Sequence, residues 1–193
     1  MSIYKHIPDS VRKSALGVVT AAMVSATVFL GLTIDTGARM TATFEGTVLG
    51  NYMDVVGVET WCVGETQLGR LDRGYTKDYC MKLFIKRYAQ YSKAIYNCYD
   101  AKARRHVTPA MHAAITDVSY NTGAGCNSGM IRNLKAGKPV AACKSILDWK
   151  RAGGKDCSIR SNGCYGVWDR RLKMYPLCNE DAQRLPPGGL GND

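Results

Sequence analysis

Glu45, Asp54 and Thr60 are the residues whose types and spacing best suit chemistry. Glu45 is followed at once by Gly46, and glycine most readily adopts the left-handed conformation that ends a helix. The residues that follow, up to position 66, are short apolar runs broken by glycines, which predict a small twisted hairpin. A glutamate at a helix end would then face an aspartate and a threonine on strands. This arrangement suits hydrolysis of a glycosidic bond.

The spacing also resembles a known family. Asp54 lies nine positions after Glu45 and Thr60 six further on, similar to the Glu–Asp–Thr triad of the phage-type lysozymes, glycoside hydrolase family 24. Four downstream segments follow the family's order and intervals: Tyr-Asn-Thr-Gly-Ala-Gly at 120–125, Ile-Arg-Asn-Leu at 131–134, Trp-Lys-Arg-Ala-Gly-Gly at 149–154, and Gly-Val-Trp-Asp-Arg-Arg at 166–171. The resemblance extends over about residues 37–178.

The resemblance implies an α+β, lysozyme-like fold: a small β-hairpin lobe and a larger helical lobe joined by a long helix. It implies an N-acetylmuramidase that acts on peptidoglycan, cleaving the β-1,4 bond between N-acetylmuramic acid and N-acetylglucosamine to lyse a bacterial host. It also places Asn121 in the sugar cleft. After Thr60 the family usually has Gly-His, whereas here Gly64 is followed by Glu65. The resemblance therefore does not predict the detailed structure where the chain leaves the hairpin.

The two acids are expected to have different roles. Glu45 would be the general acid, kept protonated by an apolar, partly dehydrated setting near Val48 and Leu49. Asp54 would stay ionised and, with Thr60, order the attacking water. The neighbouring Glu59 is interpreted as a solvent-facing hairpin residue.

Two other functions remain open from the sequence. A lytic transglycosylase needs one acid and no water-positioning pair. A non-enzymatic, membrane-anchored module could bind anionic envelope polymers through the formal net charge of +10. Nucleic acid is not an expected partner, because no zinc-finger spacing, basic zipper or RNA-binding aromatic signature is present.

The eight cysteines all lie after residue 61, and no CxxC pair occurs among them. A redox motif or a zinc ribbon is therefore not indicated. An even number of cysteines behind an export signal favours disulfides in an oxidising compartment. Their pairing stays open, although Cys157 and Cys164 are close enough to close a small loop. No second histidine or acid stands at metal-ligand spacing from His112, so we predict no metal and no cofactor.

Residues 14–34 run for 21 positions without a charge, and Lys5, Arg12 and Lys13 precede them. As a helix this stretch would be roughly 31 Å long, enough to cross a bilayer. The basic flank predicts a single pass through the host inner membrane with the amino terminus in the cytoplasm. The stretch is rich in glycine, alanine, serine and threonine, so its insertion should be marginal.

Three fates of this segment compete: a cleaved signal peptide, a permanent anchor, and a signal-anchor that later leaves the bilayer. We favour the third, which resembles the signal-arrest-release subset of phage endolysins and would deliver a monomeric enzyme to the periplasm. The expected organisation is then a signal-anchor over residues 1–36, a catalytic domain over 37–178 and a flexible tail over 179–193.

Periodicity and capping residues predict the helices of the catalytic domain. Apolar positions three and four apart predict a long helix over 76–100. Thr108 and Pro109 are typical of a helix start, and Gly123 of its end. Shorter helices are expected over 130–134, 139–151 and 167–175, the last stopped by Pro176.

Overall fold

The computed structural model describes residues 26–53 and 57–190. In chain order the helices are α1 (Ala26–Glu45), α2 (Lys77–Asn97), α3 (Ala101–Arg105), α4 (Pro109–Thr122), α5 (Gly129–Lys135), α6 (Pro139–Lys144) and α7 (Tyr165–Arg184). One antiparallel hairpin consists of β1 (Val48–Met53) and β2 (Glu59–Cys62), and a second of β3 (Arg151–Ala152) and β4 (Lys155–Asp156). Short 3-10 turns occupy Ser145–Asp148 and Arg160–Asn162.

The predicted hairpin is confirmed and forms a small lobe against α1 and α2. Strand β1 pairs with β2 in a register that places Met53 opposite Glu59. The end of β2 is buried at Trp61 and Cys62, which pack in one apolar cluster with Phe84 of α2. Because a disulfide joins Cys62 to Cys80, the sheet is fixed covalently to α2 as well.

Helix α2, which its periodicity predicted, connects this lobe to the helical lobe, as the family resemblance implied. Thr76 caps its start by accepting a hydrogen bond from the backbone NH of Tyr79. Its buried residues follow one face at intervals of three and four: Cys80, Phe84, Tyr88, Ser92 and Ile95. The first three face the hairpin cluster, and Ile95 belongs to the core of the helical lobe.

Helix α4 is the centre of the helical lobe. Thr108 accepts from the NH of Met111, Pro109 occupies the first turn, and Gly123 ends the helix with φ 74°. These are the predicted boundaries, and they are confirmed. Every residue from Met111 to Ser119 is buried, including His112. Burial on all sides means that α4 has no solvent face along this stretch.

The carboxyl-terminal helix differs from the expectation. Instead of stopping at Pro176 and giving way to a flexible tail, α7 continues to Arg184. Met174, Cys178 and Ala182 lie one turn apart and are all buried in the helical-lobe core, and Cys178 is bonded to Cys143. This burial outweighs the cost of an internal proline. Similarly, α6 ends at Lys144, earlier than expected, and a 3-10 turn follows it.

The residues beyond α7 also contact the domain. The backbone NH of Leu190 donates to the carbonyl oxygen of Arg105 at 2.6 Å. Gly189 lies against the same carbonyl, with φ 81° and no room for a Cβ. Residues 179–190 are thus part of the folded domain in this structure.

All eight cysteines are paired. The bridges are Cys62–Cys80, Cys98–Cys126, Cys143–Cys178 and Cys157–Cys164. The expected small loop between Cys157 and Cys164 is confirmed, and the other three pairings are supplied by the structure.

The predicted membrane span lies partly outside the described residues, at positions 14–25. Its described part, 26–34, is the beginning of α1, where Thr33 is 1% exposed and the Phe29 ring lies 5.4 Å from that of Tyr96. The expected boundary at residue 36 falls inside this continuous helix. Among the described residues, no helix combines the length and apolar character needed to cross a membrane.

The disulfides should differ in their contribution to stability. The Cys143–Cys178 bridge spans 35 residues and Cys157–Cys164 spans 7. Chain entropy then predicts that replacing the first pair with alanines lowers the free energy of unfolding by about 4 kcal/mol, and the second pair by about 2.5 kcal/mol. Chemical denaturation of the two double variants tests this. A larger loss for the short loop would contradict it.

Candidate active site

Glu45 is the last residue of α1, and Gly46 follows it with φ 71°. Its side chain is 21% exposed and lines a cleft of about 260 Å³ between the two lobes. The other lining residues come from the exit of the hairpin, from α2 and from the end of α4: Gly64, Glu65, Thr66, Gln67, Arg87, Tyr91, Tyr120 and Asn121. The helix end therefore places an acid on a cleft wall, as the sequence predicted.

Arg170 holds the Glu45 carboxylate. Its Nη1 donates to Glu45 Oε1 at 2.5 Å, while its Nε and Nη2 donate to the two oxygens of Asp117, each at 2.9 Å. Asp117 is fully buried and also accepts from the Thr41 hydroxyl at 2.8 Å. Burial opposes the charge on Arg170, but Asp117 and then Glu45 outweigh it and raise the pKa of the guanidinium.

Arg171 extends this cluster to Asn121, another residue that lines the cleft. Its side chain is fully buried; Nε donates to the carbonyl oxygen of Trp149 at 2.9 Å and Nη2 donates to Asn121 Oδ1. Burial lowers the pKa of Arg171 to about 10, with Asp117 acting in the opposite direction. Asn121, which the family resemblance predicts to bind sugar, lines the same cleft as Glu45, and Arg171 fixes its amide oxygen.

Glu65 replaces the histidine expected after Gly64, and the structure shows how the site accommodates it. Its Oε1 accepts from the backbone NH groups of Thr66, Gln67 and Leu68 at 2.8 to 3.1 Å. Arg87 of α2 donates to both oxygens, at 2.6 and 2.9 Å. Burial works against the charge, yet Arg87 and these NH groups lower the pKa of Glu65. Glu65 thereby fixes the hairpin exit to α2.

The other two predicted residues are placed differently. Thr60 lies in β2, is 3% exposed, and donates its hydroxyl hydrogen to the Val58 carbonyl at 3.0 Å; it does not line the cleft. Asp54 lies outside the described residues, directly after β1. Glu59 contacts solvent and forms an exposed ion pair with Arg70.

The expected apolar setting of Glu45 is wrong. Val48 and Leu49 are 44% and 48% exposed, and the partner of the carboxylate is a guanidinium. Strand β1 pairs only with β2 in a two-stranded sheet, and both side chains at its start are exposed.

Sequence reasoning missed Asp117, Arg170, Arg171 and Arg87 as site residues. The tandem arginines end the segment at 166–171, which indicates the family but assigns them no role. A signal for Asp117 does exist, because it is the one acid in the apolar helix α4. A charge in such a position is rarely buried unless it is paired.

The phage lysozyme family model matches residues 42–173. The chain belongs to the phage lysozyme family. A SAR-endolysin of Enterobacteria phage P21 is 32% identical over 152 residues, 77% of this chain and 87% of that relative. The predicted family and the predicted class of enzyme, a muramidase that acts on peptidoglycan, are confirmed.

Solved structures show the same fold. A P22 lysozyme mutant superposes with a TM-score of 0.59 at 22% identity, covering 82% of this chain and 99% of that one. The endolysin from Escherichia coli O157:H7 phage FAHEc1 gives 0.60 at 20% identity, over 75% and 91%. The predicted α+β, lysozyme-like architecture is thus confirmed for the phage lysozyme domain.

Replacing Glu65 with glutamine should destabilise this lysozyme domain in a pH-dependent way. The folded-state pKa of Glu65 lies below its ordinary value of 4.5, so its contribution is present above about that pH and is lost as the pH falls through the folded-state pKa. We expect a loss of about 2 kcal/mol at pH 7 that diminishes below pH 4.5. Thermal unfolding at several pH values measures it.

Glu59→Gln is the matched control, since it removes the same charge from the exposed pair with Arg70. Exposed ion pairs contribute little to stability, so this variant should unfold like the parent. Equal losses in the two variants, or a Glu65→Gln loss that does not depend on pH, would contradict the assignment.

Proposed function

We propose that this protein is an endolysin that hydrolyses the β-1,4 bond between N-acetylmuramic acid and N-acetylglucosamine, with Glu45 as the general acid. The observation that supports this most directly is the ion pair at the end of α1. Arg170 binds Glu45 Oε1, and within the described part of the chain no hydrogen bond reaches Oε2. One oxygen is therefore held while the other remains available to a glycosidic oxygen.

The acid must carry its proton when the glycan is bound. A sugar chain that fills the cleft would exclude water from the partly exposed Glu45 carboxyl, and exclusion of water favours the neutral acid. Asp117 supports this role because its carboxylate already neutralises Arg170. The arginine then orients Glu45 without presenting it with a full unbalanced positive charge.

Asp54 and Thr60 are proposed to order the attacking water. The Thr60 hydroxyl donates its hydrogen to the Val58 carbonyl and does not line the cleft, so its proposed role is supported by its spacing from Glu45 and not by its contacts in this structure. The role of Asp54 rests on its spacing from Glu45 and on family membership. Asn121 is proposed to donate its amide NH₂ to the substrate, because Arg171 occupies its oxygen.

The amino-terminal segment is proposed to act as a signal-anchor that leaves the host inner membrane. Residues 26–34 belong to the predicted span, yet here they form the start of α1 with Phe29 and Thr33 packed on the domain. The same residues cannot be in lipid and in this position at once. The packed form would then be the periplasmic, released enzyme, and membrane insertion would withhold the helix that ends in Glu45.

Glu45→Gln keeps the shape of the side chain and removes its proton donor. It should slow the clearing of a peptidoglycan suspension by about 10²- to 10⁴-fold. Glu59→Gln makes the same change at an exposed residue of the hairpin, and we expect it to clear at the parent rate. Clearing by Glu45→Gln at the parent rate would refute the role of Glu45.

Mass spectrometry of the digested glycan separates hydrolysis from the transglycosylase alternative in the same reactions. Reducing ends are expected, since Asp54 and Thr60 are proposed to supply water. Anhydro products would indicate a lytic transglycosylase. Salt-sensitive binding without any cleavage would favour the envelope-binding module.

Two truncations test whether the first part of α1, which belongs to the predicted membrane span, also supports the folded domain. A chain that begins at Ala26 keeps the whole helix and should be as active as any released form. A chain that begins at Gly37 loses Phe29 and Thr33 and uncovers His112, which the Phe29 ring contacts at 5.3 Å. Loss of a packed phenylalanine costs about 3–5 kcal/mol, so thermal unfolding should occur at a clearly lower temperature. Equal melting temperatures would show that 26–36 contribute nothing to the domain.

A further inference from the structure

Five exposed cations gather on one side of the helical lobe. We call this set the basic face; its members are Lys102, Arg104, Arg105, Lys135 and Lys138. Helix α3 packs beside α5, and the side chain of Lys102 lies over Gly137, where a Cβ would meet its Cε at 2.7 Å. The cations of α3 are thus brought next to those that flank Gly137.

The chain segments that carry the basic face contain few acids. Between positions 101 and 147 the one acid is Asp117, which is buried and bound to Arg170. None of the five cations forms an ion pair with a described residue. Asp100 and Asp181 form hydrogen bonds with other groups. Asp100 caps α3 by accepting from the NH of Ala103, and Asp181 accepts from the Thr108 hydroxyl at 2.6 Å.

Apolar side chains are exposed next to this charge. Val28 and Leu32, one turn apart at the start of α1, are 52% and 38% exposed. Between them Phe29 packs on Tyr96, and the Arg104 guanidinium lies 5.0 Å from the same tyrosine ring. The start of α1 and the basic face therefore adjoin through Tyr96.

We propose that the folded enzyme binds the anionic phospholipid headgroups of a bilayer through the basic face and the exposed start of α1. Charge alone would suit any polyanion, but apolar side chains beside cations are typical of groups that enter a lipid interface. The uncharged residues 14–25 join α1 at this same end. The inference goes beyond the proposed release, because it describes a contact that the released domain keeps.

Binding to lipid in this orientation would determine where the cleft lies relative to the bilayer. Glu45 is 16 residues beyond Phe29 on α1, which places it about 24 Å further along the helix axis. The cleft would then be held away from the lipid, on the side from which a glycan strand can enter. Neither the basic face nor the start of α1 contributes a residue to the cleft.

Lysine labelling of the full-length chain tests the contact. The protein is bound to vesicles of phosphatidylcholine alone, or of equal parts phosphatidylcholine and phosphatidylglycerol, and the acylation of each lysine is followed by mass spectrometry. Lys102, Lys135 and Lys138 should react about fivefold more slowly on the anionic vesicles, the factor that corresponds to about 1 kcal/mol for a lysine near an anionic surface. Lys77 and Lys86, exposed on the first half of α2, should react equally on both.

Two charge-matched variants sharpen the test. In Lys102→Gln/Arg104→Gln/Arg105→Gln, Lys135 and Lys138 should label at the neutral-vesicle rate on both vesicle types. In Arg73→Gln/Lys77→Gln/Lys86→Gln, Lys135 and Lys138 should still react more slowly on the anionic vesicles. Protection that is absent in the parent, or lost to the same degree in both variants, would overturn the proposal.

Purified peptidoglycan sacculi test whether the basic face binds the cell wall instead of lipid. The lipid proposal predicts no protection of Lys102, Lys135 and Lys138 on sacculi, and an unchanged rate of sacculus clearing in the Lys102/Arg104/Arg105 variant. Protection on sacculi, or slower clearing, would assign the face to the cell wall and overturn its assignment to lipid. Failure of the proposed catalysis would instead appear as parent protein that is protected on vesicles yet clears no sacculi.

Discussion

The structure depends on a buried charge that has to be paired. Asp117 is fully enclosed in α4, and an isolated carboxylate there would cost several kcal/mol. Arg170 of α7 satisfies both of its oxygens and Thr41 of α1 adds a third hydrogen bond. Three helices distant in sequence are thereby held in one relative position, and the remaining donor of Arg170 extends to Glu45.

This arrangement links the site to the beginning of the described chain. Glu45 and Thr41 are in the last two turns of α1, and Phe29 and Thr33 fix the first turns of the same helix against the helical lobe. A helix is stiff along its axis, so the position of its carboxyl end depends on the packing of its amino end. A segment suited by composition to leave a bilayer is, in this structure, part of the support of the proposed acid.

The hairpin lobe relies on a different ion pair for its attachment. Glu65 binds three backbone NH groups of its own loop and the Arg87 guanidinium of α2. A carboxylate is better suited than a histidine to this combination, because it accepts from several donors at once. The departure from the family pattern at Glu65 is thus accommodated within the loop.

The sequence by itself determined the elements whose signals are local. Periodicity predicted α2, Thr108 and Gly123 delimited α4, and Gly46 ended the helix that carries Glu45. Spacing identified the family. These features need only the few residues around each position, which is why they could be predicted without a structure.

Only the tertiary structure decided which distant residues meet. It paired three of the four disulfides, brought Asp117 and Arg170 to Glu45, and carried α7 past Pro176 because burial of Met174, Cys178 and Ala182 offset the cost of the proline. It also set Val48 and Leu49 in solvent. Such outcomes depend on contacts between residues far apart in the chain, and a local pattern contains no information about those contacts.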